Sequence, residues 1–426
     1  MADPLPHERL FYEVTWRHWE RADAYPLPWW VQQCFRRWPR EWDRGRFATK
    51  EGAFAANPLY RYWNMVGVKD HRHKTLIGQA GEVEPGDGRY SLAFFLFEPA
   101  RRVLHLPQLG DPSVPEPELR QDMLAGFLPV LVTTYRTSAD LTVEQRTLGV
   151  PVGPRRREIV LNRLTVRPCG PRPRPCWLCL AVLPFGPAGL QRHDRDGRYL
   201  ADRRLGFLRY LPDEYRVEAG PGWGPVFDPE RPPVCLGVYG NPEPRDDPLH
   251  YLVNDPFHDL AEHGRLNGAD AATDFFGGLC SAVFGWPVDP AGTPTPLRVD
   301  VRLPVDHFEP GDLAEIRAEP ADRLERTTEG WWREKLAGQG LQPELPPRVA
   351  HLADLYRLCR ATLLMLSDDG ALRPGPTDPR PFRVRDAAVA AIACALAGDS
   401  GLAARQLGEH LPGVFNLGGD QVGPAR

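Results

Sequence analysis

The sequence predicts a β-rich, multidomain chain in which a large antiparallel β-sandwich precedes a group of α-helices. Two observations support the sandwich. Short runs of β-branched and aromatic residues recur between Gly, Pro and Asp, and the 47 prolines among 426 residues are about twice the average proline usage. A third observation supports the helices, because apolar residues recur at helical spacing near the end of the sequence.

Length, charge and hydropathy exclude several classes of function. A chain of 426 residues has room for two or three domains with sizeable cores. The net charge of −4 and the sequence pI of 6.3 argue against a dedicated nucleic-acid-binding protein. No run approaches the roughly 18 apolar residues of a membrane span, and the first residues show no secretory signal. We therefore expect a cytoplasmic protein with neither a nucleic-acid nor a membrane partner.

Residues 1–56 are predicted to be a helical extension. Apolar and aromatic residues recur at helical spacing between positions 28 and 46, which predicts an amphipathic helix, and these residues are Trp29, Trp30, Cys34, Phe35, Trp38 and Trp42. Tryptophan faces are suited to stacking on sugar rings. Helical spacing favours packing against another part of the protein instead, and we adopt that interpretation.

Residues 57–320 are predicted to be the β-sandwich. Its runs of strand composition are 75–83, 90–97, 129–136, 141–148, 158–167, 176–185 and 297–303. The last run alternates apolar and polar residues, as a strand with one solvent-facing side does. Because no helical pattern separates these runs, the strands are expected to be antiparallel. The segment is well above the roughly 100 residues of a single sandwich, so a double-layered supersandwich is predicted.

Four helices are predicted after the sandwich. Residues 321–345 are interpreted as a linker helix that carries Trp331 and Trp332, and residues 346–426 as three further helices. The first and third of these three are amphipathic, whereas residues 387–397 are apolar on every side, which predicts a helix buried all round. Gly398 is expected to end that helix in the left-handed conformation and Ser400 to cap the next, antiparallel helix. Helices that alternate between an outer and an inner concentric layer would show this order of amphipathic, fully buried and amphipathic helices.

The start of the apolar helix resembles the six-hairpin glycosidases, which include glucoamylase-like and trehalase-like enzymes. In that family an Arg-Asp pair, matched here by Arg385 and Asp386, opens the second helix of an (α/α)6 toroid and grips the sugar in the −1 subsite. Residues 57–85 and 296–312 resemble the opening and closing strands of the supersandwich that precedes the toroid in many bacterial members. A guanidinium, a carboxylate and free helix N–H groups together suit vicinal hydroxyls. The alternative interpretation is that Arg385 and Asp386 form a surface ion pair near a helix start and do not bind sugar.

The resemblance implies a glycoside hydrolase that acts on an oligosaccharide or polysaccharide. Inverting hydrolysis needs an acid and a base about 6.5–9.5 Å apart, and the family carries its catalytic glutamates on later helices. We therefore expect no catalytic residue in this chain, and expect it to be the inactive N-terminal portion of such an enzyme. The alternatives are a non-catalytic carbohydrate-binding or structural protein and one half of a split enzyme. Candidate protein partners are the remainder of the toroid and a second copy of the chain.

The cysteines do not predict a metal site. The chain has eight cysteines without the framework of a disulfide-rich protein. Cys169, Cys176 and Cys179 have a spacing that invites a zinc interpretation. However, Cys176 and Cys179 lie three positions apart in a predicted strand and would point to opposite faces.

No other cofactor site is predicted. His71 and His73 lie on a predicted turn with no carboxylate pair nearby in the sequence, and His258 and His263 are not spaced as on a zinc helix. Residues 155–157, three consecutive arginines, are interpreted as a solvated loop rather than a phosphate site. The sequence has no nucleotide-binding motif in a usable strand-turn-helix context.

Overall fold

A computed structural model describes most of the chain after residue 62. The described ranges are 63–78, 81–86, 90–105, 119–154, 156–183, 207–219, 222–239, 260, 263–265, 272–274, 281–290, 296–337, 346–349, 351–368, 371–373 and 384–415. The predicted helix at residues 28–46, the surroundings of His258, the middle of the predicted strand 75–83 (residues 79–80) and the end of the predicted strand 176–185 (residues 184–185) lie outside these ranges.

Nineteen strands are present in the described ranges. They are β1 (Trp63–Val66), β2 (Thr75–Gly78), β3 (Val83–Glu84), β4 (Ser91–Glu98), β5 (Val103–His105), β6 (Arg120–Leu124), β7 (Leu128–Arg136), β8 (Leu141–Val152), β9 (Arg157–Pro168), β10 (Cys176–Leu183), β11 (Phe207–Leu211), β12 (Arg216–Ala219), β13 (Gly222–Phe227), β14 (Val234–Tyr239), β15 (Ala272–Asp274), β16 (Ser281–Val288), β17 (Leu297–Pro304), β18 (Ser367–Asp368) and β19 (Ala371–Leu372).

All strands but two form two large sheets, which confirms the predicted β-sandwich, while β18 and β19 pair with each other in a separate two-stranded sheet. The first sheet has the order β1-β2-β3-β4-β10-β16-β14, with β5 paired to β4, and the second has the order β15-β11-β12-β13-β17-β9-β8-β7-β6. Every pairing is antiparallel. The main core lies between the sheets. There Phe227 of the second sheet meets Phe284 of the first, with ring centroids 5.1 Å apart.

One predicted strand is in fact a hairpin. The run 75–83 divides into β2 and β3, because the Gly78 N–H donates to the Glu82 carbonyl at 2.7 Å and the Gly81 N–H to the Gly78 carbonyl at 3.1 Å. Gly81 has a φ of +89°, which favours glycine. The prediction of strand structure in this run was therefore correct, but the turn that divides the run into two strands was not predicted.

The longest hairpin of the second sheet ends beside the helices. Strands β8 and β9 pair without a register shift from Leu141 opposite Pro168 to Val152 opposite Arg157. In the turn the Arg156 N–H donates to the Gly153 carbonyl at 3.1 Å. Arg156 has a φ of +51°, an uncommon conformation for a residue other than glycine.

In the described ranges five α-helices follow the sandwich. Two short 3-10 segments are also present, Pro212–Glu214 between β11 and β12 and Pro347–Val349 among the helices. The helices are α1 (Pro310–Ala318), α2 (Ala321–Ala337), α3 (His351–Met365), α4 (Val384–Leu396) and α5 (Ser400–Phe415). The four predicted helices are α2 to α5, so the predicted order of sandwich and then helices is confirmed. The assignment of α3 to α5 to a toroid stays a prediction. No helix in the described ranges is long and apolar enough to cross a membrane.

Helix α1 was not predicted, and it changes the environment of β17. Pro310 opens the helix, and the Glu309 N–H donates to Asp312 Oδ2 at 2.9 Å. Apolar residues of α1 pack on the outer face of the second sheet. The prediction that β17 has one solvent-facing side is therefore wrong at Arg302, which is only 2% exposed and donates to the Glu319 carbonyl at 2.9 Å.

Helix α4 is buried on one side only, which corrects the prediction of burial all round. Its alanines and Cys394 pack with residues of α2, α3 and α5. Val389, Ile392 and Leu396 recur at i, i+3 and i+7 and are 64%, 61% and 56% exposed. Small residues thus meet the neighbouring helices, while the large apolar residues form an exposed stripe along the other side.

The turn between α4 and α5 has the predicted left-handed glycine. Gly398 has a φ of +82°, and the Asp399 N–H donates to the Cys394 carbonyl at 2.8 Å. The predicted cap is displaced by one residue. Ser400 is already helical, and the Asp399 carbonyl accepts the first helical hydrogen bond from the Ala403 N–H at 3.0 Å.

Candidate functional site

The predicted sugar-gripping pair lies on the surface at the start of α4. Arg385 Nε donates to Asp386 Oδ1 at 3.2 Å, and the two side chains are 87% and 41% exposed. Asp386 lies in the first turn of the helix, where the helix dipole favours a negative charge. The pair is thus an ion pair open to solvent, and a role in sugar binding stays a prediction.

A second candidate site is a cleft of about 890 Å³ between the sandwich and the helices. The sandwich contributes residues 69–71, the β8–β9 turn and Asp306, and the helices contribute parts of α2 and α3 and the α4–α5 turn. Arg385 and Asp386 do not line this cleft. We call it the sandwich–helix cleft.

At the cleft lies a group of charged residues, His71, Lys74, Glu158 and Asp306, which we call the charge cluster. Lys74 and Glu158 are buried, whereas His71 and Asp306 are partly buried and line the cleft. His71 Nδ1 is 3.1 Å from Glu158 Oε2, and His71 Nε2 is 2.6 Å from Asp306 Oδ2. Since each ring nitrogen faces a carboxylate oxygen, both nitrogens act as donors only when the imidazole is protonated. The geometry therefore identifies His71 as an imidazolium held between two acids.

The surroundings of the charge cluster shift the pKa values of His71, Lys74 and Asp306. Burial lowers the pKa of His71, but hydrogen bonds to Asp306 and Glu158 outweigh burial and raise this pKa from 6.5 to about 10. Burial lowers the pKa of Lys74 to about 8, although Glu158 and Asp368 oppose that shift. Burial also tends to raise the pKa of Asp306, yet its hydrogen bonds from His71 and the Glu158 N–H bring the pKa below its usual value.

Glu158 is too deeply buried to act on a substrate. Its side chain is 0% exposed, and complete burial raises its pKa in spite of His71 and Lys74. The Val68 N–H donates to Oε2 at 3.3 Å, whereas Oε1 faces Gly67 and Gly149 and has no hydrogen-bond partner in the part of the chain that the structure describes. A general acid must reach the atom that it protonates, so Glu158 has a structural role, whereas His71 and Asp306 of the charge cluster line the cleft.

The charge cluster also joins the sandwich to the helical part. Lys74 Nζ donates to the Val68 carbonyl at 2.9 Å and to the Ser367 carbonyl at 3.5 Å, and it also contacts the His71 carbonyl. The Asp70 N–H donates to Ser367 Oγ at 2.9 Å. Residues 67–74 are thus bound to strand β9 on one side and to β18, directly after α3, on the other.

The cysteine geometry agrees with the interpretation against zinc. Cys176 packs into the core between the sheets, while Cys179 packs on the outer face of the first sheet. Burial raises the pKa of Cys176 to about 12 and that of Cys179 well above its usual value, which disfavours the thiolate that zinc requires. Within the described ranges, no group of three His, Cys, Asp or Glu side chains is placed to hold a metal ion.

The comparisons with known proteins identify a similar fold and no family. No protein-family model and no curated protein sequence match the chain. A crystal structure of a bacterial glucoamylase complexed with acarbose is similar over 82% of this chain, with 13% sequence identity and a TM-score of 0.51. The chain spans 49% of that protein's length. A structure of the GH92 family glycosyl hydrolase ccman5 is similar over 76% of this chain and 41% of its own, with 10% identity and a TM-score of 0.39.

Proposed function

We propose that the chain is the N-terminal portion of a six-hairpin glycoside hydrolase. The observation that carries the proposal is the shared fold: the similarity to the bacterial glucoamylase covers 82% of this chain, in which helices follow a two-sheet sandwich. We assign residues 1–56 to an extension, 57–320 to the supersandwich, 321–345 to the linker and 346–426 to the first toroid helices. The substrate class is an oligosaccharide or polysaccharide, hydrolysed by an inverting mechanism in the complete enzyme.

In this proposal Arg385 and Asp386 orient the non-reducing-end sugar. Their exposed position at the start of α4 supports the assignment, because both side chains are open to a ligand and lie beside the free N–H groups of a helix start. The guanidinium donates hydrogen bonds and the carboxylate accepts them, so that neighbouring hydroxyls can be held by both. We assign no catalytic carboxylate within the described ranges, and we expect the chain to bind sugar without hydrolysing it.

Calorimetric titration of the chain with acarbose, the ligand of the glucoamylase structure, tests the assignment. We expect binding that is lost in Arg385→Ala and in Asp386→Ala. Arg323→Ala is the matched control, since Arg323 is 70% exposed and pairs with Glu319 at 3.1 Å. Binding that survives both test variants would support a carbohydrate-binding protein with its site elsewhere. An absence of binding would contradict the role of the pair in this chain.

The second candidate is one half of a split enzyme. The exposed apolar stripe of α4 favours it, because Val389, Ile392 and Leu396 form a face of the size that a neighbouring helix covers. This hypothesis predicts that a separate helical protein co-purifies with the chain from its source cells and that hydrolysis requires both proteins. If the chain is isolated from those cells without such a protein, the hypothesis is wrong.

A further inference from the structure

Two cationic side chains of the sandwich–helix cleft have no acidic partner among the residues that the structure describes. Five Lys and Arg side chains line it: Lys69, Arg156, Arg157, Lys335 and Arg360. Three of them are paired, Lys69 with Asp70, Arg157 with Asp312 at 2.7 Å and Arg360 with Asp399 at 3.1 Å. Within the described ranges, neither Arg156 nor Lys335 has a carboxylate partner.

The two unpaired cations come from different parts of the fold and meet at one tryptophan. The Arg156 guanidinium lies 5.6 Å and the Lys335 ammonium 5.8 Å from the centre of the Trp331 ring, both within cation–π range. Arg156 belongs to the β8–β9 turn, whereas Lys335 and Trp331 lie one turn apart on α2. Both positive charges thus lie within cation–π range of one half-buried aromatic ring.

The backbone at Arg156 is unusual for its residue type. Its φ of +51° is a conformation that glycine adopts without cost and that arginine adopts rarely. The turn therefore places a cation at a position where glycine would be the more stable choice. Such exceptions are frequent at binding sites, where the strain is part of the function.

The rest of the cleft suits a ligand with many hydroxyl groups. Its volume of about 890 Å³ is far larger than an inorganic anion and lies in the range of small-molecule sites. Four acidic side chains line it, Asp70, Asp306, Glu334 and Asp399, of which Glu334 has no cationic partner within the described ranges. A lining with both hydrogen-bond donors and acceptors matches hydroxyls, while the two cations match a dianionic phosphate.

We infer that the sandwich–helix cleft binds a phosphorylated sugar, with the phosphate between Arg156 and Lys335 and the sugar ring beside Trp331. The site is separate from the Arg385–Asp386 pair and does not depend on the proposed glycosidase function. It makes the chain responsive to a phosphorylated metabolite at the joint between the sandwich and the helices.

Calorimetric titrations of the full chain with glucose 6-phosphate, glucose and inorganic phosphate test this inference. We expect glucose 6-phosphate to bind much more tightly than glucose, which lacks the phosphate, and at least about tenfold more tightly than inorganic phosphate, which lacks the sugar contacts. Affinity for glucose 6-phosphate is expected to fall as the salt concentration rises. Equal affinity for the glucose and glucose 6-phosphate probes would overturn the inference, and so would the absence of glucose 6-phosphate binding at millimolar concentration.

Two variants locate the phosphate. Arg156→Gly removes the cation while relieving the left-handed backbone, so a loss of binding cannot be attributed to unfolding. Lys335→Ala removes the second cation from an exposed helical position. Each is expected to weaken glucose 6-phosphate binding at least about tenfold, as for one charge-assisted contact.

The matched control is Arg333→Ala, which removes a half-exposed cation from the same helix outside the cleft. This variant and Arg385→Ala are expected to bind glucose 6-phosphate like the wild type. Unchanged binding in both Arg156→Gly and Lys335→Ala would overturn the assignment. The assignment would also be overturned if Arg333→Ala weakened glucose 6-phosphate binding as much as Arg156→Gly and Lys335→Ala do. Because Arg385→Ala affects only the proposed glycosidase site, the two proposals can fail independently.

Discussion

Replacement of His71 by glutamine is expected to destabilise the fold in a pH-dependent way. His71 is a partly buried imidazolium between Asp306 and Glu158, and glutamine supplies hydrogen-bonding groups without the positive charge. The substitution leaves the two carboxyl groups without their shared cation. Removing one partner of a buried ion pair costs about 3–5 kcal/mol, so we expect a loss of that order in the free energy of unfolding near pH 6.5.

The pKa of His71 determines how this loss changes with pH. The pKa is about 10 in the folded protein and 6.5 as the ordinary value, so the native state binds more protons than the unfolded state between these values. The stabilisation by His71 is therefore complete below pH 6.5 and declines as the pH rises towards 10. At about 1.4 kcal/mol per pH unit, and with the unfolded imidazole half protonated at pH 6.5, the decline between pH 6.5 and 8 is about 1.5 kcal/mol.

At higher pH, Lys74 changes the stability of the fold with pH in the direction opposite to His71. Its pKa is lowered to about 8 by burial, so above pH 8 the unfolded state binds more protons at this group and stability rises with pH. The interval from pH 6.5 to 8 is therefore the one in which His71 dominates. Because Lys74 is present in both proteins, its contribution largely cancels when the variant is compared with the wild type.

Urea unfolding of both proteins at pH 6.5 and pH 8, followed by tryptophan fluorescence, measures the effect. We expect the stability difference between wild type and His71→Gln to be smaller by about 1.5 kcal/mol at pH 8. His307→Gln is the control, since His307 is 86% exposed although it lies 3.2 Å from Glu309. A stability difference that is the same at both pH values would refute the assignment of His71 as a partly buried imidazolium.

Two further predictions concern packing and the exposed stripe. Gly149→Ala is expected to lower the free energy of unfolding by at least about 2 kcal/mol, because the added Cβ would lie 2.7 Å from Glu158 Oε1 and from Gly67 Cα. Gly330→Ala lies within α2, where the added Cβ would have no neighbouring atom within 4 Å. This variant is expected to raise the free energy of unfolding by up to about 1 kcal/mol. Urea unfolding that moves both variants in the same direction would contradict this reasoning. Ile392→Glu, at a position 61% exposed, is expected to reduce binding of the dye ANS and self-association at micromolar concentration; unchanged dye fluorescence would count against an accessible apolar face.

Some elements of the fold could be predicted from local sequence patterns, whereas strands β11 to β16 and helix α1 were not predicted, and burial depended on neighbouring elements. Strand composition located β4, β7, β8, β9, β10 and β17, and helical periodicity located α2 to α5. The pattern of β17 did not show that Arg302 would be covered, because the cover comes from α1 and the residues after it. Likewise, the apolar run of α4 has the composition of a buried helix, yet the described helices pack against only one of its sides.

The candidate sites differ in how far the sequence could indicate them. Arg385 and Asp386 are adjacent at a helix start, so a local motif was enough to single them out. The charge cluster joins residues that are distant in sequence: His71 and Asp306 are 235 positions apart, and Asp306 and Glu158 are 148 apart. No local spacing relates them, and the absence of a carboxylate pair near His71 in the sequence therefore said nothing about its surroundings. The contact of Arg156 with Trp331 likewise depends on packing between a sandwich turn and α2.

The attachment of residues 67–74 has a mechanical consequence. The segment is held to the sandwich through Glu158 and to the helical part through Ser367, so that the two parts are joined at one edge of the cleft by several short polar contacts. Across the cleft, Arg156 meets Trp331 of α2 through a cation–π contact, and farther along the same helix Glu325 forms ion pairs with Arg146 and Arg163 of the sandwich. The two walls of the cleft are therefore fixed to each other at residues 67–74 and again along α2, so that a ligand enters a gap whose width the fold has already set.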